Sequence, residues 1–244
     1  MTELILKTQN GSKLYGLDHA ESDDDYIGIF VEGPDVLFLG GDHRTESLRE
    51  TPDGVRNGPG DVDGQAYSVR HFFHLAAKGN PSLLAILFTP NRSIVDSTEL
   101  GRKILASREL FVSAQAAGPF KGYMLAQLDR LTGQRKGHIP NRPELVEEFG
   151  YDVKYAQQVA RLAFQGIEFL TEGKITLPMP EHEKNICMGI RQGYYSYKAC
   201  IDLLQMLLSQ IGEAASATQL AEKPDMKGIA RLSRTIHEQH WKNQ

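Results

Sequence analysis

The apolar positions of the first 40 residues predict β structure around a tight turn. Leu4-Ile5-Leu6 is a short apolar run, and Gly11-Ser12 follows it. Residues 23–31 are rich in β-branched and aromatic side chains and end before Gly33-Pro34, which is typical of a strand followed by a turn. Residues 36–39 are apolar as well, and they fit either another short strand or a continuation of the first.

The pattern changes twice between residues 40 and 90. Residues 40–64 contain six glycines, two prolines and many charges, which predicts a long, mobile loop. From Tyr67 onward the apolar positions Val69, Phe72, Phe73 and Ala76 fit one face of a helix. Asn80-Pro81 then predicts the start of a second helix, with the asparagine as N-cap and the proline in the first turn.

The rest of the chain has helical spacing and no strand-like alternation of useful length after residue 110. Glycine and proline separate the predicted helices, which fall near residues 98–108, 120–132, 143–171, 182–191 and 196–211. The sequence therefore predicts an α+β protein. We expect a mixed α/β part over residues 1–110, followed by an all-helical part over residues 111–244.

Composition excludes several classes of protein. Hydrophobic residues make up 41% and charged residues 24%, so the chain has enough apolar surface to fold. A net charge of −4 does not by itself indicate nucleic-acid binding. The apolar runs are shorter than the roughly 20 residues that span a bilayer, and no signal peptide is recognisable. We expect a cytoplasmic protein with no membrane partner, whose two cysteines are reduced.

The strongest chemical signal is the acidic motif Asp23-x-Asp25. Residues two apart in a strand point to the same face, so these carboxylates are expected side by side, with Asp24 pointing away. Two close carboxylates repel each other unless a proton or a cation lies between them. Mg²⁺ (or Mn²⁺) is the natural occupant, and such pairs hold the metals of phosphoryl and nucleotidyl transfer.

The Gly11-Ser12 turn supplies a complementary feature. Glycine lets a backbone approach a ligand closely, and a helix that starts near Ser12 would offer free N–H groups to a phosphate. Lys13 either adds charge to this nucleotide-binding turn or is simply solvated. Each motif alone is more often an ordinary solvated turn, but their order on a predicted turn and strand is more specific.

These residues resemble a known family. Residues 11–17 followed by 22–25 are similar to the GS…SDxD signature of the DNA polymerase β-like nucleotidyltransferase superfamily, and most closely to its RlaP-like branch, which is associated with RNA repair. Residues 68–72 with 78–81, 150–154 and 170–175 support that branch, so the resemblance runs from about residue 11 to about residue 210.

The resemblance implies a polymerase β-like core, a small mixed sheet with helices, whose nucleotide site is completed by the helical C-terminal part. It also implies a third metal carboxylate, for which Asp63 is preferred over Asp61. In the Gly-Tyr-Asp-x-Lys pattern, Lys154 would neutralise a triphosphate. Arg161, two turns further along, would contact substrate or form a surface salt bridge.

The expected activity is Mg²⁺-dependent transfer of a nucleoside monophosphate from a nucleoside triphosphate, ATP being one candidate, to a hydroxyl group. The branch resemblance makes an RNA end, such as a tRNA-like end, the preferred acceptor. Asp23, Asp25 and Asp63 would hold the metals, and Asp63 would help to deprotonate the acceptor. Two alternatives remain: a protein or small-molecule acceptor, and a non-catalytic nucleotide-binding module. The sequence leaves the oligomeric state open.

Overall fold

The computed structural model describes residues 3–19, 22–49, 62–133 and 142–242, and these divide into two compact units. The first unit consists of residues 1–112 together with 223–244, and the second of residues 113–222. The first combines a sheet with helices, whereas the described part of the second is helical. The predicted α+β class, with a helical C-terminal region, is confirmed.

The first unit is built on a five-stranded sheet in the order β3-β4-β2-β1-β5. Strands β2 and β4 run parallel, and every other neighbouring pair is antiparallel. The strands are β1 (Leu4–Gln9), β2 (Asp24–Phe30), β3 (Thr45–Ser47), β4 (Val62–Ser68) and β5 (Ile94–Ser97).

Helices α1 to α5 belong to the same unit, and the predicted amphipathic pattern explains the longest of them. Val69, Phe72, Phe73 and Ala76 of α3 are all buried, as predicted. Asn80 caps α4 as predicted, because its side chain accepts hydrogen bonds from two N–H groups of the first turn. The bounds are α1 (Gly11–Tyr15), α2 (Pro34–Phe38), α3 (Val69–Ala77), α4 (Pro81–Leu87) and α5 (Glu99–Ala106).

The second unit packs its helices around one long central helix, α8, of which twelve residues are buried. Arg161 and Gln165 are the buried polar side chains on this helix. The bounds are α6 (Ala117–Leu131), α7 (Pro143–Phe149), α8 (Val153–Glu172), α9 (Glu181–Arg191) and α10 (Tyr197–Ala217).

The last helix, α11 (Met226–Lys242), packs with the first unit although the sequence grouped it with the helical part over residues 111–244. Its buried residue His237 approaches the buried carboxylate of Glu32, with 3.1 Å between Nε2 and Oε2. The Trp241 indole N–H donates to the Glu32 backbone oxygen at 2.9 Å. These contacts tie the last helix to Glu32, just beyond the end of strand β2.

Several local predictions were wrong. Residues 36–39 lie in and just after helix α2, because Pro34 occupies its first turn, and they do not form a strand. Much of the expected loop over residues 40–64 lies outside the described residues, but its described part contains β3 and the start of β4, and that start pairs with β2. Strand β5 was not predicted, and the expected helix over residues 143–171 is two helices separated at Gly150.

Within the described residues, no helix has the length and apolar character needed to cross a membrane.

Candidate active site

Asp25 and Asp63 lie opposite each other on neighbouring strands. Strands β2 and β4 are parallel, and their register places the Cα of Asp25 against that of Asp63. Paired strands are about 4.8 Å apart, so the two acids occupy adjacent positions at the same end of the sheet. Asp23 comes just before β2 and is exposed. Asp61, the alternative third acid, lies outside the described residues.

The electrostatics of Asp25 reflect this crowding. Burial raises the pKa of its carboxyl group, and the negative charges of Asp63, Asp23 and Asp24 raise it further, in that order of size. Lys13 acts in the opposite direction but does not cancel them. Asp23 thus adds to the negative charge around Asp25, and its pairing with Asp25 on a metal ion stays a prediction.

The glycine of the Gly11-Ser12 turn lies directly against Asp25. A Cβ atom built on Gly11 would meet the Oδ2 atom of Asp25, and Gly11 has a φ of 59°, in the left-handed region that favours glycine. The neighbouring Asn10 N–H donates to the backbone oxygen of Asp25 at 2.8 Å. Helix α1 begins at Gly11, so Ser12 stands in its first turn. The turn and the acid strand are therefore in contact.

Asp24 has a specific partner. Its Oδ1 atom is 2.5 Å from Nζ of Lys13, and both side chains are about one-third exposed. The hydrogen bond with Asp24 raises the pKa of Lys13. The sequence did not predict this contact between Asp24 and the Gly-Ser turn. The role of Lys13 in nucleotide binding stays a prediction, since in this structure its ammonium group is engaged by Asp24.

The chemistry of these acids fits a hard divalent cation in part. In the described part of the chain, no three His, Cys, Asp or Glu side chains are grouped so that they could hold a metal ion as a set. Asp63 instead accepts the N–H of Gly64 at 2.8 Å. Mg²⁺, however, is commonly bound by one or two carboxylates together with substrate phosphates and water. Asp25 and Asp63 provide such a pair, with excess negative charge beside them.

Lys154 and Arg161 belong to the second unit. Lys154 is exposed in the first turn of α8, where Asp152 caps the helix by accepting the N–H groups of Lys154 and Tyr155 at 3.0 and 3.1 Å. Asp152 also forms an ion pair with Arg142 at 3.2 Å. The two predicted ligands thus lie on one helix but differ in exposure, because Lys154 is at its start.

Arg161 is in the middle of α8 and only 3% exposed. Its Nη1 atom donates to Gln165 at 2.6 Å, and its Nε atom donates to Gln158 at 3.4 Å. A surface salt bridge, one of the two expected roles, is therefore not what the structure has at this position. Contact with substrate stays a prediction for Arg161.

Sequence reasoning missed Glu32, which is fully buried. Besides its contacts with α11, it lies 3.5 Å from Nε of Arg70 on helix α3. Burial pushes the pKa of Glu32 upward, but the hydrogen bond with His237 and further hydrogen bonds outweigh burial and lower it overall. No local signal identifies this contact, since Glu32 and His237 are 205 residues apart.

Comparison with known proteins gives two matches. A family model described as "RlaP: RNA repair pathway DNA polymerase beta family" matches residues 1–211, a range that includes both acid strands and all of α8. A protein of Enterobacteria phage T4, described as "Uncharacterized 38.9 kDa protein in nrdC-mobD intergenic region", is 30% identical over 130 residues. That alignment covers 52% of this chain and 38% of the phage protein. No solved structure matches significantly.

Proposed function

Because the chain belongs to the RlaP family of RNA repair pathway DNA polymerase beta proteins, we propose that it is a metal-dependent nucleotidyltransferase. Its substrate is a nucleoside triphosphate, and its acceptor is a hydroxyl group at an RNA end. The acceptor oxygen attacks the α-phosphorus, the bond from that phosphorus to the bridging oxygen breaks, and pyrophosphate leaves. The family points to RNA repair, whereas the metal, the nucleotide and the acceptor are our proposals.

The observation that carries the proposal is the register that sets Asp25 against Asp63, with Gly11 packed on the Asp25 carboxylate. Asp25 and Asp63, with Asp23 beside them, would hold Mg²⁺ or Mn²⁺, which supplies charge neutralisation for the phosphates. Burial and the negative charges of Asp63, Asp23 and Asp24 raise the pKa of Asp25, and a cation near these charges would be attracted to them.

The remaining residues have distinct proposed roles. Asp63 accepts the proton of the acceptor hydroxyl, which must be lost as the new bond to phosphorus forms. Gly11 and Ser12 receive the β- and γ-phosphates at the start of α1, where backbone N–H groups are free of helical partners. We assign three cations to the nucleotide, namely Lys13, Lys154 and Arg161. Lys154 is the best supported of the three, because it is exposed.

The test is transfer of labelled nucleotide to an RNA oligonucleotide, with each of the four triphosphates and Mg²⁺. Asp25→Asn removes one charge from the proposed metal pair, and we expect transfer to be lost while the fold is retained. Asp24→Asn is the matched control, because it removes the same charge from the adjacent residue, which binds Lys13. We expect this control to keep most of the activity.

Three outcomes would contradict the proposal. Full activity of Asp25→Asn at saturating Mg²⁺ and nucleotide would remove the metal pair from the mechanism. Label that enters protein or a small alcohol, but not RNA, would change the acceptor. If metal and triphosphate together give the wild-type protein no thermal stabilisation, the acids are structural, since a ligand that binds the native state must stabilise it.

A further inference from the structure

A cavity of about 420 Å³ lies on the first unit, away from the acid pair. Its walls come from residues 40–44, which lead into β3, and from helix α3, which follows β4. The lining includes four side chains that can carry positive charge, Arg44, Arg70, His71 and His74, and one acid, Asp42. The function proposed above uses none of these residues.

The two arginines keep donors available toward the cavity. Arg44 is 62% exposed and approaches Asp42 through Nε at 2.7 Å, and Arg70 is 44% exposed and approaches Glu32 through Nε at 3.5 Å. A guanidinium group that uses Nε still has N–H donors on its terminal nitrogens, and its fork matches the oxygens of a phosphate.

The buried carboxylate of Glu32 contacts the Arg70 side chain. Glu32 is fully buried, and its Oε1 atom, the one nearest Arg70, has no hydrogen-bond partner in the described part of the chain. The other carboxylate oxygen is engaged by His237. The Arg70 side chain therefore lies beside a buried acid while a large part of it remains exposed, so its terminal nitrogens can bind an anion in the cavity.

The pKa of His71 depends on its burial and on the charged groups around the cavity. Burial lowers the pKa of its imidazole, and the neighbouring Arg44 and His74 lower it further, whereas Asp42 and Glu32 raise it and do not compensate. The segment before β3 and helix α3 thus bring Arg44 and Arg70 to one cavity, where each guanidinium contacts one carboxylate through Nε and keeps its terminal N–H groups for a further anion.

We propose that this cavity binds a backbone phosphate of the acceptor RNA strand. The inference depends on the proposed RNA acceptor. Asp63 is near the start of β4, and five residue steps of about 3.3 Å place Ser68, where α3 begins, roughly 17 Å away along the strand. A strand stacked at about 3.4 Å per nucleotide covers that distance in about five nucleotides, and a more extended strand covers it in fewer. The cavity therefore binds the strand several nucleotides from its reacting end.

The first experiment measures RNA binding by fluorescence anisotropy without metal or nucleotide. The variants are Arg44→Gln and His74→Gln, both at exposed positions, and thermal unfolding checks that they fold. Arg92→Gln, an exposed arginine of the same unit outside the cavity, is the matched control. We expect about tenfold weaker binding of a ten-nucleotide RNA by Arg44→Gln, with a slope of log K against log[salt] that is smaller by about 0.7.

The second experiment measures the KM for acceptors of different length. Arg44→Gln should raise the KM of the ten-nucleotide RNA and leave that of a dinucleotide unchanged, because a dinucleotide is too short to reach the cavity. Equal RNA affinities for wild type, Arg44→Gln and Arg92→Gln would overturn the proposal. Weaker binding of the triphosphate, with RNA binding unchanged, would also overturn it by making the cavity a nucleotide subsite.

The two proposals fail in different ways. If the wild-type protein transfers no nucleotide to RNA, the proposed function fails, but the anisotropy comparison still decides whether the cavity binds a nucleic-acid strand. If transfer depends on Asp25 while the cavity variants behave as wild type, the function stands and this inference fails. A DNA strand of the same sequence should lose affinity equally, because phosphate contacts do not distinguish the two backbones.

Discussion

Replacing Gly11 with alanine isolates the contact between the Gly-Ser turn and Asp25. The Gly11 backbone has a φ of 59°, and an added Cβ would meet the Asp25 carboxylate. The left-handed conformation costs alanine roughly 1–2 kcal/mol. At about 2–4 °C per kcal/mol for a chain of this size, the melting temperature should fall by about 2–8 °C.

The loss of activity should be larger than the loss of stability suggests. The new methyl group must displace the Asp25 carboxylate, and a misplacement of about 1 Å at a reacting centre can cost about 100-fold in rate. We therefore expect Gly11→Ala to lose about 100-fold in kcat for nucleotide transfer, measured at a temperature where the variant is folded.

Gly133→Ala is the control for backbone strain. Gly133 has a φ of 70°, and no heavy atom of the described residues lies within 4 Å of the position of its Cβ. This variant should lose similar stability and retain wild-type activity. If Gly11→Ala also retains full activity, the position of the Asp25 carboxylate has no influence on the reaction, and the proposed site is refuted.

Two further predictions concern stability. Burial and the negative charge of Glu168 raise the pKa of Glu183 from 4.5 to about 7, so this group's favourable contribution is complete below pH 4.5 and lost as the pH rises through 7. Glu183→Gln should therefore be more stable than wild type at pH 8 in urea denaturation, whereas the exposed Glu181→Gln should not, and parallel pH profiles for Glu183→Gln and wild type would contradict this reasoning. His237→Ala leaves the buried Glu32 carboxylate without its hydrogen bond to the imidazole and should cost about 1–3 kcal/mol in the free energy of unfolding. The exposed neighbour Glu238→Ala should change that free energy by less than about 0.5 kcal/mol, and equal losses for both variants would show that the Glu32 contact is not stabilising.

Local signals in the sequence predicted much of the fold. The face of α3 and the cap of α4 could be read because spacing and capping depend on residues a few positions apart. Strand β4 could not, since it contains Gly64 and is stabilised by pairing with the distant β2. The short apolar run at residues 36–39 fits a helix and a strand equally, and only Pro34 favoured the helix.

The residues of the candidate site also differ in whether local sequence signals could identify them. The order of the Gly11-Ser12 turn and Asp25 is local, and the structure brings the two into contact. The adjacency of Asp63 arises from a parallel register across a long connection, and its identification from sequence depended on the family resemblance. Glu32 and His237 carried no signal, because a lone histidine in a helix does not reveal a partner 205 residues away.

The return of α11 to the first unit has a consequence for biosynthesis. Residues 113–222 emerge from the ribosome after the sheet but before the helix that encloses Glu32, and they form their own compact unit. The second unit can therefore fold before helix α11 is synthesised, and during that time Glu32 is not yet covered by α11. Prolonged translational pausing between residues 222 and 237 should then expose the sheet to proteases or chaperones, even though all five of its described strands precede residue 98.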